Sequence, residues 1–316
     1  MPGPINGIHH MTAIAGDPQR NLDFYAGVLG LRLVKLTVNF DVPNTYHLYY
    51  GDEVGRPGTI ITFFPWPHMR RGRVGAGQFT ATALSIPPGA LDYWRARLDA
   101  HGVQCAAPVE RFEETVLAFE DPDGLPLELV AHLGAEERPG WPQGPVPAEM
   151  AIRGIYGISA VSLAPERTAR VLVELLGLRE QAREGGRARY IAGQGGSGAI
   201  IDLIEPQEAT PGIEGIGTVH HLALRVPDDD AQRQVHHEVA ERGFRVTPVL
   251  DRQYFRSIYF RELGGLLFEV ATDPPGFAVD EPVERLGTEL RLPPWLEPRR
   301  EELARQLPPL RLPATW

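Results

Sequence analysis

The chain has 316 residues, an apolar content of 43% and one cysteine, Cys105. That is room for two domains with their own cores, and it rules out an internal disulfide framework. The net charge of −10 argues against nucleic acid as a partner. No apolar run is long enough to span a bilayer and no basic-then-apolar leader opens the chain, so the expectation is a soluble cytoplasmic protein.

In chain order, the first strand reads from Gly7 to Ile14 and carries the pair His9-His10. A helix around Arg20 to Tyr25 follows and stops at Gly30, and a further strand runs from Gly58 to Thr62. The same pattern returns 147 residues later: Ile8 recurs as Ile155, and Leu29-Gly30-Leu31-Arg32 as Leu176-Gly177-Leu178-Arg179. A second kind of unit alternates with it. Its first strand is Phe79 to Pro87 in one copy and Val219 to Pro227 in the other, 140 residues apart. Each is followed by a helix, Ala90 to His101 and Ala231 to Arg242, and by a strand that carries a glutamate, Glu128 and Glu269. The chain therefore reads as four strand-helix-strands units. Residues 5–133 hold an N-terminal pair and 151–273 a C-terminal pair, joined by a Pro/Gly-rich linker at 134–150. A Pro-rich tail at 274–316, with one helix at Glu297 to Gln306, is expected to wrap the body. The loop His68 to Gly77, with Arg70, Arg71 and Arg73, reads as a solvated basic loop.

Side chains of a strand alternate between faces. In Thr218 to Val226 the residues Leu222, Leu224 and Val226 share the face that should meet a helix. Parity adds His220 to that face, and His9 to the equivalent face of the first strand, while His221 and His10 point the other way. Glu269 likewise lies opposite Phe268 and Val270. Two histidines and one carboxylate on non-core strand faces make the donor set of a mononuclear Fe(II) site. By donor type alone, Mn(II), Ni(II) and Zn(II) fit too.

Units of this kind, with His-His strand starts and a Gly-Gly-x-x-x-Glu strand, resemble the vicinal-oxygen-chelate (glyoxalase/extradiol dioxygenase) superfamily. The resemblance implies an α+β fold of four βαβββ units paired into a two-domain, half-barrel architecture. More narrowly, Tyr46-His47-Leu48-Tyr49-Tyr50-Gly51-Asp52, Gly55-x-Pro57-Gly58-Thr59 and Tyr254-Phe255-x-Ser257-x-Tyr259 resemble its ring-cleaving dioxygenases of hydroquinones. The family's ligands would fall on His10, His221 and Glu269, the same three that parity selects, with the metal held by the first and fourth units. The sequence agrees: Gly157 stands at the third-unit position of His10, and Ala81 at the second-unit position of His221. Glu128 is then a vestigial or structural carboxylate.

The resemblance implies an Fe(II)-dependent enzyme whose partners are a small aromatic substrate and O2. A homo-oligomer is compatible with the sequence. Three protein ligands leave three open positions on an octahedral iron, enough for a phenolic oxygen and dioxygen. Tyr259 would hydrogen-bond an oxygen at the metal, Arg252 would stabilise negative charge there, and His9 or Tyr259 would serve as general acid. His47 either lines the pocket or belongs to the sheet, and His236 and His237 read as surface residues of a helix. A glyoxalase-like isomerase or lyase is the alternative enzyme. It would need a second glutamate at the metal, and Ile60-Ile61-Thr62-Phe63-Phe64 supplies none. A non-catalytic resistance protein that binds an aromatic drug is the alternative outside enzymes, and it would not need an intact triad.

Overall fold

The computed structural model describes residues 5–205 and 210–313. Residues 1–4, 206–209 and 314–316 lie outside that set. The first unit comprises β1 (Gly7–Ala15), α1 (Pro18–Leu22), β2 (Arg32–Val38), β3 (Tyr46–Gly51) and β4 (Ile60–Pro65). The second comprises β5 (Gln78–Ile86), α2 (Leu91–Ala100), β6 (Val109–Arg111), β7 (Glu114–Glu120) and β8 (Pro126–Ala131). The third has β9 (Ile155–Val161), α3 (Pro165–Arg170), β10 (Arg179–Glu184), β11 (Arg187–Ile191) and β12 (Ile200–Ile204). The fourth has β13 (Thr218–Val226), α4 (Asp229–Glu241), β14 (Leu250–Asp251), β15 (Arg256–Arg261) and β16 (Leu267–Thr272). The fold is thus α+β, in four βαβββ units.

Local chemistry explains the helices. Asp17 caps α1 by accepting from the Arg20 N–H at 2.7 Å, with Pro18 at the first helical position. Asp228 caps α4 at the Ala231 N–H, Asp229 and Asp230 sit in its first turn, and Val235 and Val239 form its buried stripe. Gly30 and Gly177 take positive φ, 69° and 71°, where the two helical segments end.

Two eight-stranded sheets result, ordered β14-β15-β16-β13-β1-β4-β3-β2 and β10-β11-β12-β9-β5-β8-β7-β6. One sheet therefore joins the fourth unit to the first, and the other the third to the second. The N-terminal and C-terminal pairs describe order along the chain, not the sheets. The two crossover segments run side by side: the Gly72 N–H donates to the Ile216 carbonyl, and Arg73 and Ile213 exchange backbone hydrogen bonds. The basic loop is consequently tied to the body by its backbone and by Arg71 on the Asp123 carbonyl, while Arg70, Arg71 and Arg73 stay exposed to solvent, as expected.

Each sheet has helices on one face and a cup on the other. The helix face of the first sheet takes Ile8, Met11, Ala13, Val219, Leu222, Leu224 and Phe268 into the main core. Ile8 and Met11 are three residues apart, as are Val219 and Leu222, yet each pair shares that face. The cause is a β-bulge in each strand: the pairing of β1 with β13 shifts register at His9 and again at His220. This corrects the parity reading, which put His9 and His220 among the helix-side core residues.

The tail lies along the open edge strand β2, with the Arg291 N–H on the Leu36 carbonyl, and it shields that edge. Buried Lys35 pairs with Asp280 at 2.6 Å and Glu281 at 3.0 Å, and Phe277 and Leu286 complete the cup's apolar cluster. A helix, α5 (Arg300–Gln306), falls where expected and buries Leu303.

Asp121 ties the two sheets together. It accepts from the Tyr25 hydroxyl at 3.0 Å and from the backbone N–H groups of Asp123 and Leu125. Burial pushes its carboxyl up from 3.8 to about 6, against those hydrogen bonds. A raised acid stabilises the fold fully below its unfolded pKa and loses that contribution as pH rises through 6. The shift corresponds to roughly 3 kcal/mol. Asp121→Asn should therefore gain stability relative to the unmodified protein by about that amount between pH 4 and 7, measured by urea unfolding. A difference that stays constant with pH would contradict this origin.

Candidate metal centre

The site is built on one row of the first sheet. His10 on β1 lies opposite Ala223 on β13, Ala223 opposite Glu269 on β16, and Glu269 opposite Tyr259 on β15. Ala223, fully buried, is the spacer between His10 and Glu269, and its single methyl leaves the cup open between them. His221 stands opposite Thr12 on the same face.

All three side chains are buried, and their ligand atoms lie within 4.8 Å of one another. Among the described residues no other group of three His, Cys, Asp or Glu converges in this way. Glu269 Oε2 is 3.3 Å from His10 Nε2 and 2.9 Å from His221 Nε2. Neither Glu269 Oε2 nor His221 Nε2 has a hydrogen bond of proper geometry, although both are sealed from solvent. Buried polar atoms without partners are rare and costly. Here the unpartnered atoms face each other, as donors to a shared cation do. The other atoms of the ligands are taken. The Ser257 hydroxyl donates to Glu269 Oε1, His9 Nδ1 lies 2.9 Å from His10 Nδ1, and His220 Nδ1 lies 2.7 Å from His221 Nδ1. The bulges that turn His9 and His220 out of the core thus set them behind the two candidate ligands, leaving each Nε2 for the centre.

Burial would raise Glu269, but His10 and His221 hold its carboxyl well below the usual range. Burial lowers His221 despite the carboxylate beside it. The set offers two imidazoles and one ionised carboxylate, which suits a divalent first-row metal.

Beside these ligands is a cavity of about 30 Å³, the room of about one water molecule. Its apolar walls are Phe40, Tyr49, Phe64 and Phe255. Arg252 reaches it with its guanidinium 5.4 Å from the centre of the Tyr259 ring, and Asp41 holds that guanidinium at 3.0 and 3.2 Å. Burial, with Glu269 next, raises the Tyr259 hydroxyl well above its usual value. Of the residues singled out in the sequence, His10, His221, Glu269, Tyr259, Arg252 and His47 line this cavity; His9 does not. Its ring packs against Phe255 and reaches the site only through His10. Asn39, Phe40 and Asp41 were not foreseen because they come from an irregular loop without periodicity. Phe255 and Ser257 stood in a recognised motif, but nothing local to them signalled a role. A larger cleft of about 930 Å³ between α1 and the second unit, lined by Phe24, Cys105 and Phe119, lies apart from this centre.

The second sheet repeats the cup without the ligands. A Cβ on Gly157 would lie 2.9 Å from both Cβ and the carbonyl oxygen of Ile200, so no side chain fits where His10 stands in the first sheet. Glu128 is clamped by Arg111 through contacts of 2.6 and 3.0 Å, a structural carboxylate.

A family model for the Glyoxalase/Bleomycin resistance protein/Dioxygenase superfamily matches residues 7–129 and 164–280. The chain belongs to this superfamily. It is 49% identical, over 96% of both chains, to MhqO of Bacillus subtilis, a protein named as a candidate ring-cleaving dioxygenase. It is 36% identical, over 97% of both chains, to the chlorohydroquinone/hydroquinone 1,2-dioxygenase of Sphingobium indicum. The crystal structure of a candidate dioxygenase from Bacillus subtilis superposes with a TM-score of 0.92 at 47% identity over 99% of both chains. The superfamily resemblance read from the His-His and Gly-Gly-x-x-x-Glu strands is thereby shown. No described helix is long and apolar enough to cross a membrane.

The hydroxyl of Ser257 orients Glu269 without facing the centre. Ser257→Ala should therefore retain the fold and weaken divalent-metal binding by about 10- to 100-fold, read by equilibrium dialysis. Unchanged affinity would remove Ser257 from the metal's support.

Proposed function

We propose that this protein is an Fe(II)-dependent dioxygenase that opens a hydroquinone-type aromatic ring with O2. In this reading His10, His221 and Glu269 hold the metal. The observation that carries it is the convergence of three buried ligand groups, with Glu269 Oε2 and His221 Nε2 otherwise unsatisfied, at the wall of an aromatic-lined cavity. The names of the full-length relatives support it.

Iron bound here would supply the one-electron exchange that lets O2 react with a closed-shell ring. The rest is the work of the chain's own groups. Phe40, Tyr49, Phe64 and Phe255 give faces against which a ring can pack and from which water is excluded. Arg252, whose guanidinium Tyr259 and Asp41 hold charged against the cost of burial, offers a fixed cation to phenolate charge. Tyr259 keeps its proton at neutral pH and can donate it to an oxygen atom carried by the substrate as the ring opens. His9 acts through His10, by fixing which of that ring's nitrogens faces the centre. An isomerase of the glyoxalase kind is less well supported. The residues of β4 on the cup face are Ile60, Thr62 and Phe64, so the first unit brings no second carboxylate.

The test is anaerobic reconstitution with Fe(II), then oxygen uptake with hydroquinones and separately with catechols. One bound iron and stoichiometric uptake with a hydroquinone are expected, both lost in His10→Ala, His221→Ala and Glu269→Ala. Tyr259→Phe should keep its iron and lose turnover by roughly 10²–10⁴-fold. Iron bound without uptake from either substrate class would sink the dioxygenase reading.

A further inference from the structure

His47 is the cavity-lining side chain that neither the candidate metal site nor the Arg252 pair uses. Its Nε2 lies 2.8 Å from the Thr62 hydroxyl, and Thr62 lies 2.9 Å from the Thr12 hydroxyl. This buried chain fixes the plane of the imidazole. Tyr49 and Phe64 hold the ring from its sides, with centroids at 3.9 and 4.4 Å. The other ring nitrogen, Nδ1, makes no hydrogen bond among the described residues, and it is not sealed from the cavity side. The hydroxyls of Tyr49 and Tyr259 also line the cavity, whereas its other charged and amide groups outside the candidate ligands are committed. Asp41 and Arg252 hold each other, and Asn39 caps its own turn by accepting from the Asp41 and Val42 N–H groups.

The position of His47 is as informative as its free nitrogen. The three candidate ligands come from β1, β13 and β16, whereas His47 is on β3, two strands beyond β1 in the same sheet. That separation is about 9.5 Å by ordinary strand spacing. His47 thus approaches the cavity from the side away from Glu269, and a ring held at the metal through one hydroxyl meets it only with a polar group at its far end. A 1,2-diol presents both oxygens on the metal side, and a 1,4-diol presents one at each end.

We infer that His47, oriented by Thr62 and Thr12, is the group that binds the distal hydroxyl of a 1,4-dihydroxybenzene and so selects para-diols. The inference rests on the reading of the cavity as an aromatic-substrate site and adds to it the end of the ring away from the metal. A phenolic hydroxyl both donates and accepts, so either tautomer of His47 recognises it.

The test compares anaerobic dissociation constants of hydroquinone and phenol for the full chain loaded with Zn(II), a redox-inert probe. Oxygen uptake on the Fe(II)-loaded protein is measured alongside. The unmodified protein should prefer hydroquinone by about 10- to 100-fold, the range for leaving a buried polar group unpaired. His47→Leu should bring the two ligands to within about twofold of each other, with phenol affinity unchanged. His47→Gln, which keeps a donor and an acceptor, should restore most of the preference, and Thr62→Val should lose part of it. A preference in His47→Leu equal to that of the unmodified protein would overturn the inference, as would no preference in the unmodified protein. Preference lost in His47→Leu without oxygen uptake by any form would leave His47 as the selector and remove the ring-cleavage reading instead.

Discussion

The antiparallel joint between β1 and β13 is the constraint on which the rest of the molecule depends. Each unit folds with its strands in the order first, fourth, third, second, which leaves its first strand as a bare edge. Such an edge presents unpaired N–H and C=O groups and is a liability in water. Pairing two first strands removes two edges at once. It also brings His10, from the start of the chain, opposite Ala223 and beside Glu269, more than two hundred residues later. Neither half of the sequence contains the site.

That joint creates an electrostatic problem that the two cups solve differently. A carboxylate buried to the depth of Glu269 costs several kcal/mol unless it is paired. In the second cup Arg111 meets Glu128 with two parallel contacts, and Arg189 bridges Asp202 and Glu114. The charges there are matched within the protein. In the first cup the partners of Glu269 are two imidazoles that lack hydrogen-bond geometry toward it, plus one serine. Imidazoles bring no fixed positive charge of the kind an arginine brings, and a divalent cation would. The same fold position thus carries a finished salt bridge in one sheet and an incomplete one in the other.

Much of this was legible in the sequence because it rests on local periodicity. The two-residue alternation of Leu222, Leu224 and Val226 and of Phe268 and Val270 located the strands and the side of Glu269. The 147- and 140-residue repeats gave the four units, and Gly157 and Ala81 told which pair of units could hold a metal. What failed was parity carried through His9 and His220. One inserted residue per strand reverses facing locally, and a bulge leaves no mark in a pattern of residue types. The joining of first to fourth unit in a single sheet rests on pairing between distant strands, which no local pattern encodes. The cavity's outer wall is a loop whose role depends on the fourth unit lying opposite, so Phe40 and Asp41 carried no signal of their own.

That outer wall also bears on how a ring could reach the metal. A space of about 30 Å³ does not admit six carbons. The body of the cavity is set by sheet residues that cannot shift without breaking strand pairing. The loop residues Asn39 to Thr45 are under no such constraint. Phe40 is backed by half-exposed Trp295 of the tail at 5.6 Å, and Asp41 is held by Arg252. Asp41 is 68% exposed and Arg252 only 17%. Parting the pair therefore returns the carboxylate to water at little cost. It leaves the guanidinium, still largely buried, in need of another anion. In the proposed reaction a phenolate is such an anion, so the charge that arrives replaces the one that leaves. Such an exchange would leave no buried cation without a partner.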